Sequence, residues 1–144
     1  MVHMMEAHTL SVAVRRDWRE VYEFVQRPEN FARWASGAAQ SLRKEGGEWV
    51  ADGPDGRVVL RFAARNAFGV LDHTVVLRSG AEIRMPLRAI QNGDGSELVL
   101  TLFRQPGMTD AVFARDAEWV AKDLATLKTL LETDSPAASR GVRA

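Results

Sequence analysis

The stretch that most constrains the fold is a long amphipathic segment near the end of the chain, residues 108–133. Apolar residues recur there at every third or fourth position: Phe113, Ala117, Val120, Leu124, Leu127 and Leu131. The opposite side carries Arg115, Glu118 and Lys122. This spacing predicts a helix about 35 Å long, at ~1.5 Å of rise per residue. A helix with one apolar stripe must cover it with a second layer, and the chain upstream supplies mostly strands.

The chain upstream begins with one strand and two short helices. Residues 8–15 alternate between apolar and polar side chains, which predicts a half-buried strand. Asp17 is a good N-cap for a first short helix. Pro28 cannot continue that helix but suits the first position of a second one.

Turn clusters rich in glycine separate the segments that follow. The segments between them predict six strands, at residues 41–45, 48–51, 58–66, 70–79, 82–91 and 96–105. Connections of hairpin length imply antiparallel pairing. We therefore expect an α+β fold in which a seven-stranded antiparallel sheet turns one apolar face toward the long helix.

Length and composition narrow the class of protein. The 144 residues predict one domain at residues 8–133, with a disordered leader at 1–7 and a flexible tail at 134–144. Nineteen basic and nineteen acidic residues give no net charge, which argues against nucleic acid as a partner. The chain has no cysteine, so disulfides, thiolate metal sites and cysteine nucleophiles are excluded. No apolar run is long enough to span a bilayer and no signal-peptide segment is evident, so we expect a cytoplasmic protein that is not an integral membrane protein.

The order of elements, together with the segment VQRPENFARW at residues 25–34, resembles the START and polyketide-cyclase (SRPBCC) superfamily. These are the birch-pollen-allergen-like proteins with the helix-grip fold, whose short second helix often carries a proline, an acidic residue and then a tryptophan. Pro28, Glu29 and Trp34 match that pattern. The resemblance, over residues 9–132, implies a curved sheet wrapped around the C-terminal helix with a cavity between them. It also implies small apolar or amphipathic ligands such as lipids, sterols, polyketides or aromatic metabolites; some members are cyclases, aromatases or dehydratases, and many only bind or carry.

Alternation along the strands assigns side chains to the inner face of such a cavity. Together with the short helices and the long helix, it gives these candidate ligand-binding residues: Phe31, Trp34, Phe62, Asn66, Leu71, His73, Met85, Leu87, Leu102, Arg104 and Val120. Large apolar side chains form walls, and the few polar ones orient a ligand. For any single aromatic residue, an ordinary place in the core is the simpler interpretation.

His73 is the most informative of these residues, because it is the only histidine within the predicted strands and helices. On an apolar face its ring needs a partner, for which Asn66, Arg104 and Asp116 are candidates. A catalytic interpretation makes it a general acid or base. The alternatives are a core histidine that bonds to a backbone carbonyl, and a ring that orients a bound ligand.

Arg104 and Asp116 complete the candidate catalytic residues. Arg104 shares one face of the last predicted strand with three leucines. Its guanidinium could clamp a ligand carboxylate or carbonyl, unless the side chain leaves through the rim. Asp116 lies at the edge of the helical stripe and could pair with Arg104 or His73, unless it is solvated.

Asp72 precedes His73 directly, but consecutive strand residues point to opposite faces, so we expect no metal site. No phosphate-binding loop or nucleophile elbow is present, and we expect no cofactor.

Three functions remain open at this point. The first is binding of a small hydrophobic molecule by a monomer or homodimer. The second is a polyketide cyclase, aromatase or dehydratase that uses His73 as its proton shuttle. The third is a protein-interaction module, which the charged outward side chains of Arg61, Arg65, Glu82, Arg84 and Arg88 disfavour.

Overall fold

The computed structural model describes residues 1–133, and these form an α+β fold with antiparallel sheets and a long C-terminal helix. The strands are β1 (Ala7–Val14), β2 (Arg43–Glu45), β3 (Glu48–Gly53), β4 (Gly56–Phe62), β5 (His73–Val76), β6 (Glu82–Met85), β7 (Leu87–Asn92) and β8 (Gly95–Phe103). The helices are α1 (Trp18–Val25), α2 (Phe31–Trp34) and α3 (Asp110–Thr133). Two 3₁₀ turns, Pro28–Asn30 and Gly37–Ser41, lie on either side of α2.

The strands form two sheets, so the prediction of one seven-stranded sheet is wrong. One sheet has the order β1-β8-β7 and the other β2-β3-β4-β5-β6. The strand predicted at residues 82–91 is divided at Pro86, because proline has no backbone N–H to donate to a ladder. Beyond Pro86 the Leu71 N–H donates to the Leu87 carbonyl at 2.8 Å, and the Ala89 N–H donates to the Gly69 carbonyl at 2.9 Å. These bonds join β7 to the segment that leads into β5 of the other sheet.

The short helices also differ in detail from the prediction. The side chain of Asp17 caps α1 as expected, accepting from the Arg19 N–H at 2.8 Å. Pro28, however, begins a 3₁₀ turn, closed by a bond from the Asn30 N–H to the Arg27 carbonyl. The α-helix proper starts only at Phe31 and has four residues.

The long helix α3 buries the stripe that the sequence predicts. Its buried residues are Phe113, Ala117, Leu124, Leu127 and Leu131, and Val120 is half-buried. They belong to one core with inward residues of both sheets, among them Val58, Leu60, Leu87, Leu98 and Leu100. The helix thus closes the core from one side, as its apolar stripe requires.

The first strand begins one residue before the predicted strand at residues 8–15. β1 already begins at Ala7, and the carbonyl of Glu6 accepts from the Arg104 N–H at 2.8 Å, so the last two residues of the predicted leader take part in the fold. The predicted flexible tail at 134–144 lies outside the described residues. Within the described part of the chain, no helix combines the length and the apolar character that crossing a bilayer requires.

Candidate functional site

A mainly apolar cavity of about 180 Å³ lies between α2, the Gly37–Ser41 turn, the inner face of the sheets and α3. Its lining comprises Phe31, Trp34, Ala35, Ser36, Ala38, Ala39, Val58, Leu60, His73, Val75, Met85, Leu100, Val120, Asp123 and Leu124. Strand alternation places Val58, Leu60, His73, Val75 and Met85 on this inner side. An engineered apolar cavity of ~150 Å³ in another protein binds benzene, so this volume suits one substituted ring.

The wall on the α2 side is a cluster of rings around Phe31. Its ring packs edge-on against Trp34, Phe62 and His73, with centroids 5.0, 5.6 and 5.5 Å away. Phe31 and Trp34 are three residues apart on one helical turn, so they face the same way. Edge-to-face packing of this kind fixes each ring, and this side of the cavity is therefore well ordered.

His73 joins this ring cluster from the sheet and is buried, with 7% of its surface exposed. It is the first residue of β5, opposite Phe62 in β4 and Met85 in β6. Burial lowers its pKa to about 4, against weaker opposing effects of a hydrogen bond with the Leu71 backbone and of the Asp72 charge. At neutral pH the ring is therefore uncharged. A neutral ring that donates one N–H to the Leu71 carbonyl can accept a hydrogen bond at its other nitrogen.

Solved structures give the clearest comparison, since no family model and no curated protein match the sequence. Ara h 8.0201 is 11% identical, with a TM-score of 0.60 over 89% of this chain and 98% of its own. The Aha1 dimer from Colwellia psychrerythraea is 11% identical, with a TM-score of 0.68 over 91% and 99%. DynU16, from the dynemicin biosynthetic locus, is 18% identical, with a TM-score of 0.64. The match covers 90% of this chain and 48% of DynU16. The chain has the helix-grip fold. The resemblance seen in the sequence is thus confirmed for the fold.

Five of the predicted ligand-binding residues line the helix-grip cavity: Phe31, Trp34, His73, Met85 and Val120. Phe62 is half-buried behind them and contacts the rings of Phe31 and His73. Leu71, Leu87 and Leu102 are buried in the surrounding core and do not line the cavity.

Arg104 does not reach the helix-grip cavity, which corrects the expectation that it shares a site with His73. β8 ends at Phe103, so alternation no longer directs the next side chain inward. The guanidinium instead binds the start of α3: Nη1 lies 2.6 Å from Asp110, and Nε and Nη2 donate to the Met108 carbonyl. Asp116 is half-buried on α3, likewise outside the cavity lining. Neither residue is the partner of His73.

Asn66, the third expected partner of His73, organises the loop between β4 and β5. Its Oδ1 accepts from the N–H groups of Phe68 and Val70, and its Nδ2 donates to the carbonyls of Ala64 and Val70. Its backbone N–H donates to the Tyr22 hydroxyl at 2.8 Å. The amide is thus fully engaged within its own loop and has no bond left for His73.

Asp123 is a cavity residue that sequence reasoning missed. Its two carboxylate oxygens each lie 3.3 Å from the backbone N–H of Ser36, which ties α3 to the segment after α2. Burial raises the pKa of this carboxyl group, and hydrogen bonds from Ser36 oppose the effect. A signal was present, because Asp123 lies three residues after Val120 and directly before Leu124 in the apolar stripe.

Trp34 supplies an unusual polar atom to the same region. Its indole Nε1 is buried and has no hydrogen-bond partner among residues 1–133, while the side chain as a whole is 6% exposed. A buried donor without a partner costs about 1–3 kcal/mol. Within residues 1–133, packing against Phe31 therefore positions the indole ring without a hydrogen bond at Nε1.

Proposed function

We propose that the protein binds a small hydrophobic molecule in the cavity between the sheets and α3. The observation that carries the proposal is the cavity itself, about 180 Å³ with a mainly apolar lining. At ~24 cal/mol per Å³, a void of that volume lowers stability by about 4 kcal/mol relative to a filled core. An apolar guest that fills the space offsets this loss and also removes its own surface from water.

Calorimetric titration with toluene tests the proposal on the intact chain. We expect binding of one toluene per chain, with a negative heat-capacity change because apolar surface is buried. The variant Val120→Phe places a ring in the cavity from α3 and should abolish binding.

The matched control for this titration is Val112→Phe, which adds the same ring to a half-buried position of α3 outside the cavity lining. This variant should bind toluene as the unmodified chain does. Equal loss of binding in both variants, or no binding of any single-ring hydrocarbon to the unmodified chain, would count against the proposal.

A second candidate is a cyclase, aromatase or dehydratase in which His73 transfers a proton. The placement of His73 on the cavity wall favours it, and so does the fold shared with DynU16, which belongs to a biosynthetic locus. A ring whose pKa is about 4 is a weak base at neutral pH, so binding ranks first. Mass spectrometry of a linear poly-β-ketone thioester incubated with the protein tests this candidate. Loss of water with the unmodified chain but not with His73→Gln supports it, and unchanged substrate removes it.

A further inference from the structure

The sequence suggested a histidine and an arginine on the cavity wall, whereas the structure has a histidine and an aspartate there. Arg104 lies elsewhere, and no lysine or arginine lines the cavity within the described chain. His73 presents an uncharged ring with one nitrogen free to accept. The remaining ionisable group on the wall is the carboxyl group of Asp123.

Asp123 has unused capacity as an acceptor. An ionised carboxylate offers about four lone-pair positions. Ser36 is its one hydrogen-bonding partner in residues 1–133. The backbone N–H of Ser36 lies 3.3 Å from both oxygens, and the Ser36 side-chain hydroxyl also donates to the carboxylate, which leaves about two lone-pair positions unused. No ion pair involves Asp123 in the part of the chain that the structure describes. A donor on a ligand would therefore find a carboxylate that is partly buried and underused.

Asp123 is also well placed to meet a ligand near the opening of the cavity. It lines the cavity together with Val120 and Leu124, and it also lines an outer groove beside Trp119 and Lys122. The carboxylate thus lies between the apolar interior of the cavity and the protein surface. A ligand with an apolar body and one polar end fits this arrangement.

We propose that Asp123 determines which ligands enter: compact molecules of about one ring that carry a hydroxyl or amino donor and no negative charge. This inference rests on the proposed function and names its ligand class. A carboxylate ligand would lose its hydration on this wall and meet the like charge of Asp123, and no lysine or arginine among residues 1–133 lines the cavity to compensate. Sterols and long acyl chains are too large, because pockets for such ligands have volumes of about 300–1,000 Å³.

Titration of the intact chain with four probes of similar size tests the inference: toluene, benzyl alcohol, benzylamine and benzoate. We expect benzyl alcohol and benzylamine to bind about tenfold or more tighter than benzoate, since bonds to charged groups are strong. Comparison of the alcohol with the amine distinguishes a neutral from a cationic donor. The variant Asp123→Leu should reduce the affinity for both donors about tenfold relative to the affinity for toluene in the same variant.

Asp123→Asn keeps an acceptor for Ser36 and removes the charge, so it should weaken binding of benzylamine more than that of benzyl alcohol. Asp116→Asn, on the same helix and outside the cavity lining, is the matched control and should change neither affinity.

If benzoate binds the unmodified chain as tightly as the donor probes, the inference is overturned while the proposed function stands. The same holds if neither Asp123 variant alters the ranking. If no probe binds, toluene included, both proposals fail. The ranking in the unmodified chain decides the matter even if Asp123→Leu does not fold.

Discussion

Asp72 and His73 are consecutive residues whose side chains lie on opposite faces of the sheet. The Asp72 carboxylate accepts from Nε and Nη2 of Arg88 at 2.9 Å each and from the Leu87 N–H at 2.9 Å. The hydrogen bond from Arg88 lowers the pKa of Asp72, so its charge is held on the outer side. His73 turns inward and is buried. One dipeptide thus separates a charged outer surface from a neutral inner wall.

The buried position of His73 predicts how stability changes with pH. The pKa is 6.5 for an ordinary histidine and about 4 here, so the unfolded chain binds the proton more tightly than the folded one. Between pH 6.5 and 4 the free energy of unfolding should therefore fall as the pH falls. The total loss is about 3 kcal/mol, at ~1.4 kcal/mol per unit of pKa difference. Above pH 6.5 the ring is neutral in both the folded and the unfolded chain, so this loss is absent.

Urea unfolding at several pH values between 4 and 7 measures this effect. The variant His73→Gln has no titrating ring and should show a flatter dependence over that range. His8→Gln removes an exposed histidine and should keep the dependence of the unmodified chain. A His73→Gln curve parallel to that of the unmodified chain would show that the ring is not held neutral by burial.

Gly69 sets the close approach of the segment before β5 to Ala89 in β7. Its φ is +72°, and a Cβ built there would lie 2.2 Å from the Ala89 carbonyl oxygen. Gly69→Ala should therefore lower the free energy of unfolding by about 3 kcal/mol, from left-handed strain and overpacking together. Gly107 has a similar φ of +82° and no atom within 4 Å of the same position, so Gly107→Ala isolates the strain, about 1 kcal/mol. Equal losses in urea unfolding would contradict the steric argument.

Asn66 should act on stability and not on ligand binding. Asn66→Ala removes four side-chain hydrogen bonds within the loop between β4 and β5. At ~1 kcal/mol for a typical bond, with partial replacement by water, we expect a loss of about 2 kcal/mol in urea unfolding. The affinity for toluene should stay unchanged well below the new midpoint of unfolding. A large change in affinity with little change in stability would assign Asn66 to the site after all.

The periodic parts of the fold could be predicted from the sequence, because burial of one face requires an apolar residue at each inward position along a helix or strand. The stripe from Phe113 to Leu131 and the alternation in the strands are repeated signals of this kind. Pro86 is a single residue inside such a pattern, and the pattern alone does not show that it divides β6 from β7. The 3₁₀ turn at Pro28 likewise depends on a single residue, and helical spacing does not distinguish it from the start of an α-helix.

The candidate site was less predictable, because the place of each candidate polar side chain depends on where a strand ends or on a contact distant in the sequence. Arg104 follows three inward positions of β8, but the strand stops one residue before it. Asn66 was assigned to β4, which ends at Phe62. Asp123 interrupts an apolar stripe, and its contact with Ser36, 87 residues earlier in the chain, depends on how α3 packs against the segment after α2.

A crystal structure of the protein grown with iodobenzene tests the central claim most directly, because iodine is located by its anomalous scattering independently of the refined coordinates. We predict one strong iodine peak between α3 and the inner face of the sheets, within contact distance of Leu124 and Met85. No peak there, together with side chains that fill the space, would contradict the account.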